Sequence, residues 1–581
     1  MYSITKIDTG EAFEDLRDDW ERLAGLTEHP NVFSSFDWIY SWWQAFGDQY
    51  RLYILVARDQ GDTVGIAPLM ITESRFLGRT RRVVRFIGTP EIDYGDFLGA
   101  DKPEITKQVV RHLREHSADW TDISLSQISE RSGTVEPLRA ALKSEGIAHR
   151  LIEIEACSSF VFEGDDSERA KYDPRRNKGL KSSINYFKRN GGLELVELTD
   201  PAEISKELYG LFNCHVNRWR NTATPSFFLQ RRFCDFFQTM TDRLAPRGRL
   251  SVLLLKHNGL NLAYQFNFTY NGTAYLYTLT HNVFHRRRAP GVVINYFARK
   301  HYVRAGFKEL DFVRGGQAHK SRLTNRQYQN YKIRVYSSLL PRNVTRWYDK
   351  SKTTSLFERL ANSRPLTNFR DRLALHYHEQ GVGGLLKKAV SKLASFVVDL
   401  KIVCMFRFEG PAKVSIKARL PVEVKMLGPE HVDEIASFLG IQADSQRYRT
   451  LIERFEKDAD CFASYYHGHI ACMGWGVYHE DRNPVTGFSA LPMRKQVLFS
   501  DGFTSPVLRG QKLRPHLMAY QLNYYQKKGL QCITAVYRHN QPSIKVVKGL
   551  HFKKIRSVRQ LKILGLNVLR PRAITVSNKE G

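Results

Sequence analysis

LSVLLLKHNGLNLAYQFNF, residues 250–268, is the stretch on which the fold reading turns. Two apolar runs rich in Val, Leu, Phe and Tyr flank a polar turn centred on Gly259, the composition of a β-hairpin. The pattern occurs twice more. LYILVARDQGDTVGIAPLMI, residues 52–71, turns at Gly61, and CFASYYHGHIACMGWGVY, residues 461–478, turns at Gly468. The segments C-terminal to the hairpins carry more information than the hairpins do. After residues 250–268 come a strand, TAYLYTLT, a basic loop, FHRRRAPG, a helical stretch, VVINYFARKHYVRAG, and a short strand, KELDFVRGG. After residues 461–478 come RKQVLFSDGFTSPVLRGQKLRPHL, a helix through MAYQLNYYQKKG, a strand, LQCITAVY, and a second helix, QPSIKVVKG.

Strand, glycine-containing basic loop, helix, strand is an order that sets a strand against a helix N-terminus. Unpaired amides there, with basic side chains beside them, make an anion site for which a pyrophosphate is the natural ligand. The best loop of this kind is Arg286, Arg287, Arg288, Pro290 and Gly291, where Pro-Gly suits a turn that opens a helix. The first hairpin is succeeded instead by FIGTPEIDYGDFLG, which is acidic and aromatic and reads as a degenerate or substrate-binding half.

The 581 residues exceed one core and predict three or four domains. A hydrophobic fraction of 42% excludes disorder, and 88 Lys plus Arg against 59 Asp plus Glu give a net charge of +29 that attracts an anionic partner. Seven scattered cysteines with no CxxC pair exclude a zinc site and a disulfide framework, so no metal is expected and a reducing cytoplasm fits. The polar N-terminus does not read as a signal peptide, and no apolar run spans a membrane. Residues 341–420 carry 16 Lys plus Arg and 6 Asp plus Glu. Apolar residues recur there at Leu385, Ala389, Leu393, Phe396, Leu400 and Val403, which is helical spacing. The segment reads as a basic helical linker packed on a neighbouring domain; the sharper alternative is an amphipathic helix, residues 385–404, resting on an anionic inner membrane.

FSSFDWIYSWWQAFG, residues 33–47, resembles the N-terminal signature of the CelD-like acetyltransferases, a GNAT branch associated with cellulose and other exopolysaccharide production. GIAPL from Gly65, DYGDFL from Asp93, HVNRW from His215, and APGVVI with LDFVRGGQAHK from Ala289 and Leu310 resemble the same family, so that the likeness runs over about residues 1–338. Such proteins resemble Fem-type transferases in having two GNAT-like halves, placed here at 1–160 and 161–340. Residues 421–567 resemble a single further GNAT domain, and 568–581 form a tail. The fold class implied is α/β (α+β), tandem GNAT-like folds, each a mixed, mostly antiparallel sheet flanked by helices.

The resemblance implies acetyl-CoA or another acyl-CoA as co-substrate. In the third domain the cofactor loop falls on Leu508, Arg509, Gly510, Gln511, Lys512, Leu513 and Arg514, with Asn540 further on. Lys512 and Arg514 stand where the family has small residues, which weakens close approach of a pyrophosphate. Val547 stands where a thiolate-protonating tyrosine is common, so it has no catalytic role. GNAT-type transfer is direct and needs a base rather than a covalent nucleophile. His215 and Asp311 are the candidate bases, against a core-edge histidine and a salt bridge from Asp311 to Arg314. Asp93, Tyr94, Asp96, Arg218, Trp219, Arg314 and Lys320 are candidate acceptor contacts, against hydrogen-bonded loops and a solvated charged face. Trp38, Trp42 and Trp43 share one helix face and read as core, with stacking on sugar rings as the alternative. The basic stretch of residues 175–192 reads as an ordinary helix of the second half, not as a nucleic-acid site. The expected function is acyl-CoA-dependent N- or O-acyl transfer to a sugar, nucleotide sugar or exopolysaccharide precursor. Two alternatives stand beside it: a Fem-like aminoacyl-tRNA-dependent transferase, and a non-catalytic adaptor of polysaccharide machinery.

Overall fold

The computed structural model describes residues 2–76, 79–162, 178–220, 222, 224–315, 324–335, 398–479, 481–482, 489–563, 566–569 and 574–575. The chain divides into two compact units. The first takes residues 1–208, 230–280 and 288–358; the second takes 209–229, 281–287 and 359–581.

Each of the three hairpins forms where the sequence places it. Their turns put Gln60-Gly61, Asn258-Gly259 and His467-Gly468 at positive φ in both central positions, the mirror-image turn whose twist matches antiparallel strands. Each also carries a register shift at the same offset before its glycine: Ala57/Arg58, Leu255/Lys256 and Ser464/Tyr465. A shared bulge at a fixed distance from a shared turn marks the three as copies of one element.

In the first unit the second-half hairpin belongs to an eleven-stranded sheet. Its order is Arg51–Leu52, Leu69–Phe76, Arg79–Phe86, Asp122–Ser129, Arg326–Val335, His149–Val161, Glu309–Arg314, Thr273–His281, Leu260–Tyr270, Leu250–His257 and Glu194–Leu198. The first-half hairpin, Ile54–Asp59 with Asp62–Ala67, forms a separate three-stranded sheet with Ser3–Ile7. Arg326–Val335, last in sequence, inserts between Asp122–Ser129 and His149–Val161 of the first half. The two halves therefore share one sheet, and a cut at residue 160 would pass through the 13-residue strand that joins them. The helix Lys102–Glu115 covers the first-half core around Val109, Phe97 and Leu125, and the helix Pro290–Arg304 covers the second-half core around Val293, Ala298 and Tyr302. Trp38 and Trp42, on the helix Phe36–Phe46, are buried, and the Trp42 indole donates to Glu91 at 2.9 Å; these two are core.

The second unit is an eight-stranded sheet. Its order is Glu423–Leu427, Asp460–Tyr466, His469–Val477, Gln496–Thr504, Gln531–Tyr537, Val398–Phe408, Phe552–Ile563 and Leu566–Leu569. Flanking helices are Val432–Leu439, Gln446–Glu456, Leu513–Lys527 and Gln541–Gly549. The sequence expectation of mixed sheets flanked by helices in GNAT-like units holds. One segment differs: Val398–Phe408 is a strand paired on both sides, so the helical reading of residues 385–404 fails over 398–404. The apolar run Ile402–Phe406 inside this strand is one that a buried strand and a buried helix share, and spacing alone does not separate them. Residues 385–397, the rest of the suggested membrane helix, lie outside the described residues, as does Lys320.

Candidate active site

Thr273–His281 and Glu309–Arg314 run parallel, but their pairing covers only Thr273–Tyr275 against Glu309–Asp311. Beyond that point the two strands share no further pairs. On its other edge Glu309–Arg314 pairs with His149–Val161, with a register shift between Asp311 and Arg314 and a positive φ of 49° at Val313. Asp311 is thus the last paired residue at the mouth of an opening between parallel strands. The helix Pro290–Arg304 lies between these strands in sequence, entered through Ala289 in the left-handed region, with Pro290 and Gly291 as its first two residues.

The Asp311 carboxylate is 2% exposed. It accepts from the Tyr94 hydroxyl, at 3.0 and 2.8 Å to its two oxygens, and from the Val313 backbone N–H at 2.7 Å. Burial pushes its pKa up from 3.8 to about 7, and the charge of Glu309 adds to the rise; Tyr94, the Val313 amide and Arg131 oppose it. A carboxylate that changes charge near pH 7 suits a general base. Burial, and then the charge of Asp311, push the Tyr94 hydroxyl well above its ordinary range, so Tyr94 keeps its proton and serves as a donor.

Both groups open onto a cavity of about 230 Å³, lined also by Asp96, Arg131, Tyr275 and Tyr328. Arg131 makes a two-point ion pair with Glu309 at 3.0 and 3.2 Å, and its guanidinium lies 4.2 Å from the Tyr328 ring centre. The Ser159 hydroxyl also donates to Glu309. These contacts hold Glu309 as a fixed charge beside Asp311. Asp96 points into the fold: it accepts from Lys102 Nζ at 2.8 Å, from the Phe97 amide at 2.8 Å and from the Thr134 hydroxyl. Its pKa is raised by burial, with Lys102 opposing. Asp93 pairs with Arg314 at 2.7 Å, and Asn330 Nδ2 donates to the Asp93 carbonyl at 3.0 Å. The loop of residues 93–97 is therefore pinned on both sides of Tyr94.

Of the residues singled out from sequence, the structure gathers Asp93, Tyr94, Asp96, Asp311 and Arg314 in the first unit. Arg314 pairs with Asp93, not with Asp311. His215 belongs to the second unit, where its Nδ1 lies 2.8 Å from Ser226 Oγ and its ring packs against Phe227 and Phe228. Burial lowers its pKa to about 3, with Arg218 adding to the effect, so it is neutral. Arg218 lies over the Trp219 ring at 5.4 Å in the same unit. The Arg286–Arg288 turn is divided between units: Arg286 and Arg287 fall in the second, where Arg287 pairs with Asp444 at 2.6 Å, while Arg288 falls in the first, over the Tyr186 ring at 3.9 Å.

In the second unit, Leu508 and Leu513 are core residues, Gly510 has φ +83°, the Gln511 carbonyl accepts from the Arg419 amide at 3.0 Å, and Lys512 is left-handed. Arg514 turns inward. Its Nη1 donates to the Met473 carbonyl at 3.2 Å, and a Cβ on Gly474 or Gly502 would lie 2.2 or 2.1 Å from its guanidinium. Asn540 caps the helix Gln541–Gly549 through the Ser543 amide, and Val547 is core. Sequence reasoning missed Arg131, Glu309, Tyr275 and Tyr328. Arg131 and Glu309 are 178 residues apart, and no local motif marks either.

Residues 174–321 match the family model described as the acetyltransferase (GNAT) domain. This interval holds the strands that open at Asp311, and the chain thus carries an acyltransferase domain. No curated protein matched the sequence. Among solved structures, FemX is 11% identical over 59% of this chain and 99% of its own, with a TM-score of 0.41. A tandem GNAT protein from the clavulanic acid biosynthesis pathway is 12% identical over 57% of this chain and 98% of its own, with a TM-score of 0.33. The C-terminal domain of a "Putative Lysylphosphatidylglycerol Synthetase" from Agrobacterium fabrum is 12% identical over 57% of this chain and 95% of its own, with a TM-score of 0.37.

Proposed function

We propose that the first unit transfers an acyl group from acyl-CoA to a hydroxyl or amine of a sugar, nucleotide sugar or exopolysaccharide precursor, with Asp311 as general base. The observation that carries the reading is the place of Asp311: its carboxyl group ends the parallel pairing, faces a cavity and titrates near pH 7. The fit to acyl-CoA rests on two features of this chain. The strands part beyond Tyr275 and Asp311, and Gly291 puts no side chain over the first turn of the Pro290–Arg304 helix, whose positive end faces a pyrophosphate there. Bound acyl-CoA supplies an electrophilic thioester carbonyl.

The chain's own residues handle the proton. Ionised Asp311 accepts it from the acceptor hydroxyl as that oxygen attacks, or from an acceptor ammonium group to leave the neutral amine that attacks; the thioester C–S bond then breaks, and the departing thiolate takes a proton from solvent. Tyr94 holds the carboxylate in place by donating to both of its oxygens. Glu309, fixed by Arg131, keeps the carboxyl basic enough to take that proton at neutral pH. The sugar acceptor and the CelD-like assignment draw support from the five sequence blocks that resemble that family, of which DYGDFL supplies Tyr94 and LDFVRGG supplies Asp311.

The test is acetyl-CoA turnover over a panel of amino sugars, sugar nucleotides and oligosaccharides, with free thiol as the readout. Acceptor-dependent thiol release that falls in Asp311→Asn supports the reading. Release that is equal in wild type and Asp311→Asn removes it.

A further inference from the structure

Besides its tyrosines, the ionisable side chains that line the Asp311 cavity are Glu28, His29, Asp96, Arg131 and Asp311. Two of these are neutralised within the fold, Asp96 by Lys102 at 2.8 Å and Arg131 by Glu309 at 3.0 Å. Glu28 and Asp311 are not. The partners of Asp311, the Tyr94 hydroxyl and the Val313 amide, carry no charge. Among the described residues no lysine or arginine pairs with Glu28, and His29 Nε2 lies 4.0 Å from its carboxylate. Burial, and then the charge of Arg131, lower the His29 pKa, so the imidazole gives Glu28 no counter-charge at neutral pH. Glu28 stands at the rim, its side chain 68% exposed. Its carboxylate rests on the turn that follows Arg131, where a Cβ on Gly133 would lie 2.7 Å from its Oε2. In a chain of net charge +29, this cavity is locally acidic.

We propose that the cavity takes its acceptor as a cation, a single-ring amino sugar with a free ammonium group, and that Glu28 selects it over neutral and phosphate-bearing sugars. The inference deepens the acyl-transfer reading and rests on it for the role of Asp311. Two carboxylates without a fixed cation attract an ammonium group and repel a phosphate, so the same charges serve selection and exclusion. Tyr94, Tyr275 and Tyr328 add aromatic walls, which favour a cation over an anion. The volume of about 230 Å³ is below the roughly 300–1,000 Å³ of pockets for drug-sized ligands, and fits one ring rather than an oligomer. The uncharged side chains of Asn31, Ser129 and Thr273 on the same wall suit ring hydroxyls. In the transfer, the ammonium gives one proton to Asp311 and attacks as the neutral amine. The N–C bond forms as the thioester C–S bond breaks, the nitrogen loses its second proton to solvent, and the departing thiolate is protonated from solvent. The amide product is uncharged, so the attraction that brought the acceptor in is absent when the product leaves.

The test is calorimetric titration of glucosamine, glucose and a glucose phosphate into the full chain with coenzyme A present. It compares wild type with Glu28→Gln, and thermal melting confirms that both are folded. Glucosamine should bind more tightly than either other sugar, and its binding should weaken about threefold or more in Glu28→Gln, with a smaller loss at high salt. Glucose should bind both proteins alike, which a merely structural role for Glu28 would not give. Glu28→Asp keeps the charge and is expected to recover most of the glucosamine binding. Glucose that binds as tightly as glucosamine, glucosamine that binds Glu28→Gln as it binds wild type, or glucosamine that does not bind at all overturns the inference. Thiol release from acetyl-CoA separates it from the reading beneath it. Release with neutral sugars that is unchanged in Glu28→Gln keeps Asp311 as base and overturns selection by Glu28. Glucosamine binding that depends on Glu28, with no thiol release, supports the cation site and removes the acyl-transfer reading.

Discussion

Replacing Asp311 by Asn tests both the chemistry and the electrostatics of the site. The carboxyl is buried, and its pKa lies near 7 against an ordinary 3.8. Between those two values the unfolded chain has released the proton that the folded chain keeps. The contribution of this group to stability is therefore fully present below pH 3.8, falls as the pH rises toward 7, and is lost above it. At about 1.36 kcal/mol per tenfold change in proton affinity, the loss approaches roughly 4 kcal/mol. Asn keeps the shape and never ionises, so Asp311→Asn is expected to be more stable than wild type at pH 8, with the difference shrinking at pH 5. The gain at pH 8 should be smaller than that ceiling, because the amide keeps only part of the bonding to Tyr94 and Val313. The activity moves the other way. As general base, Asp311 must be ionised, so wild-type kcat/KM should rise with pH and level off above an apparent pKa near 7. Asp311→Asn should lose about 10²–10⁴-fold in kcat and lose that rise. Urea denaturation at pH 5 and pH 8 reads the first effect, and thiol release across pH 5.5–8.5 reads the second. A variant that keeps wild-type activity, with a flat wild-type pH profile, refutes the assignment.

Three other substitutions probe neighbouring contacts. Tyr94→Phe removes the hydroxyl that favours the ionised carboxylate, so the apparent pKa of the activity profile should move up by about half a unit to one unit, with lower activity at pH 7. Lys102→Met leaves Asp96 buried without its ammonium partner and should cost about 3–5 kcal/mol of stability by urea denaturation. Gly65→Ala places a Cβ 2.6 Å from Ile105 Cγ1, in the packing of the first half, and should cost about 1–3 kcal/mol by the same measurement.

The hairpins were legible because a tight turn is local: Gly61, Gly259 and Gly468 each carry the positive φ that the turn requires. The strand and helix order after the second and third hairpins was legible for the same reason. The strand Val398–Phe408 was not. It is paired on both edges; Val398-Asp399-Leu400-Lys401-Ile402 alternates, but the unbroken apolar run Val403, Cys404, Met405 and Phe406 that follows is one a helix and a strand share, and the apolar positions also fit helical spacing. Asp311 and Tyr94 were each chosen from sequence, but their partnership spans 217 residues and arises only because Arg326–Val335 closes the two halves into one sheet. Arg131 and Glu309 had no sequence signal at all, since an ion pair between distant loops and strands leaves no local pattern. Arg514 shows the opposite case. A cation in an expected cofactor loop is drawn inward because Gly474 and Gly502 leave room for it.

Calorimetric titration of acetyl-CoA into the whole protein, repeated with Gly291→Asp and with Gly510→Asp, tests most directly the claim that the first unit is the acyltransferase. A carboxylate at Gly291 repels a pyrophosphate at the Pro290–Arg304 helix, so binding should be lost in Gly291→Asp and should persist in Gly510→Asp. Acetyl-CoA that binds Gly291→Asp as it binds wild type, or that binds none of the three proteins, would contradict the account.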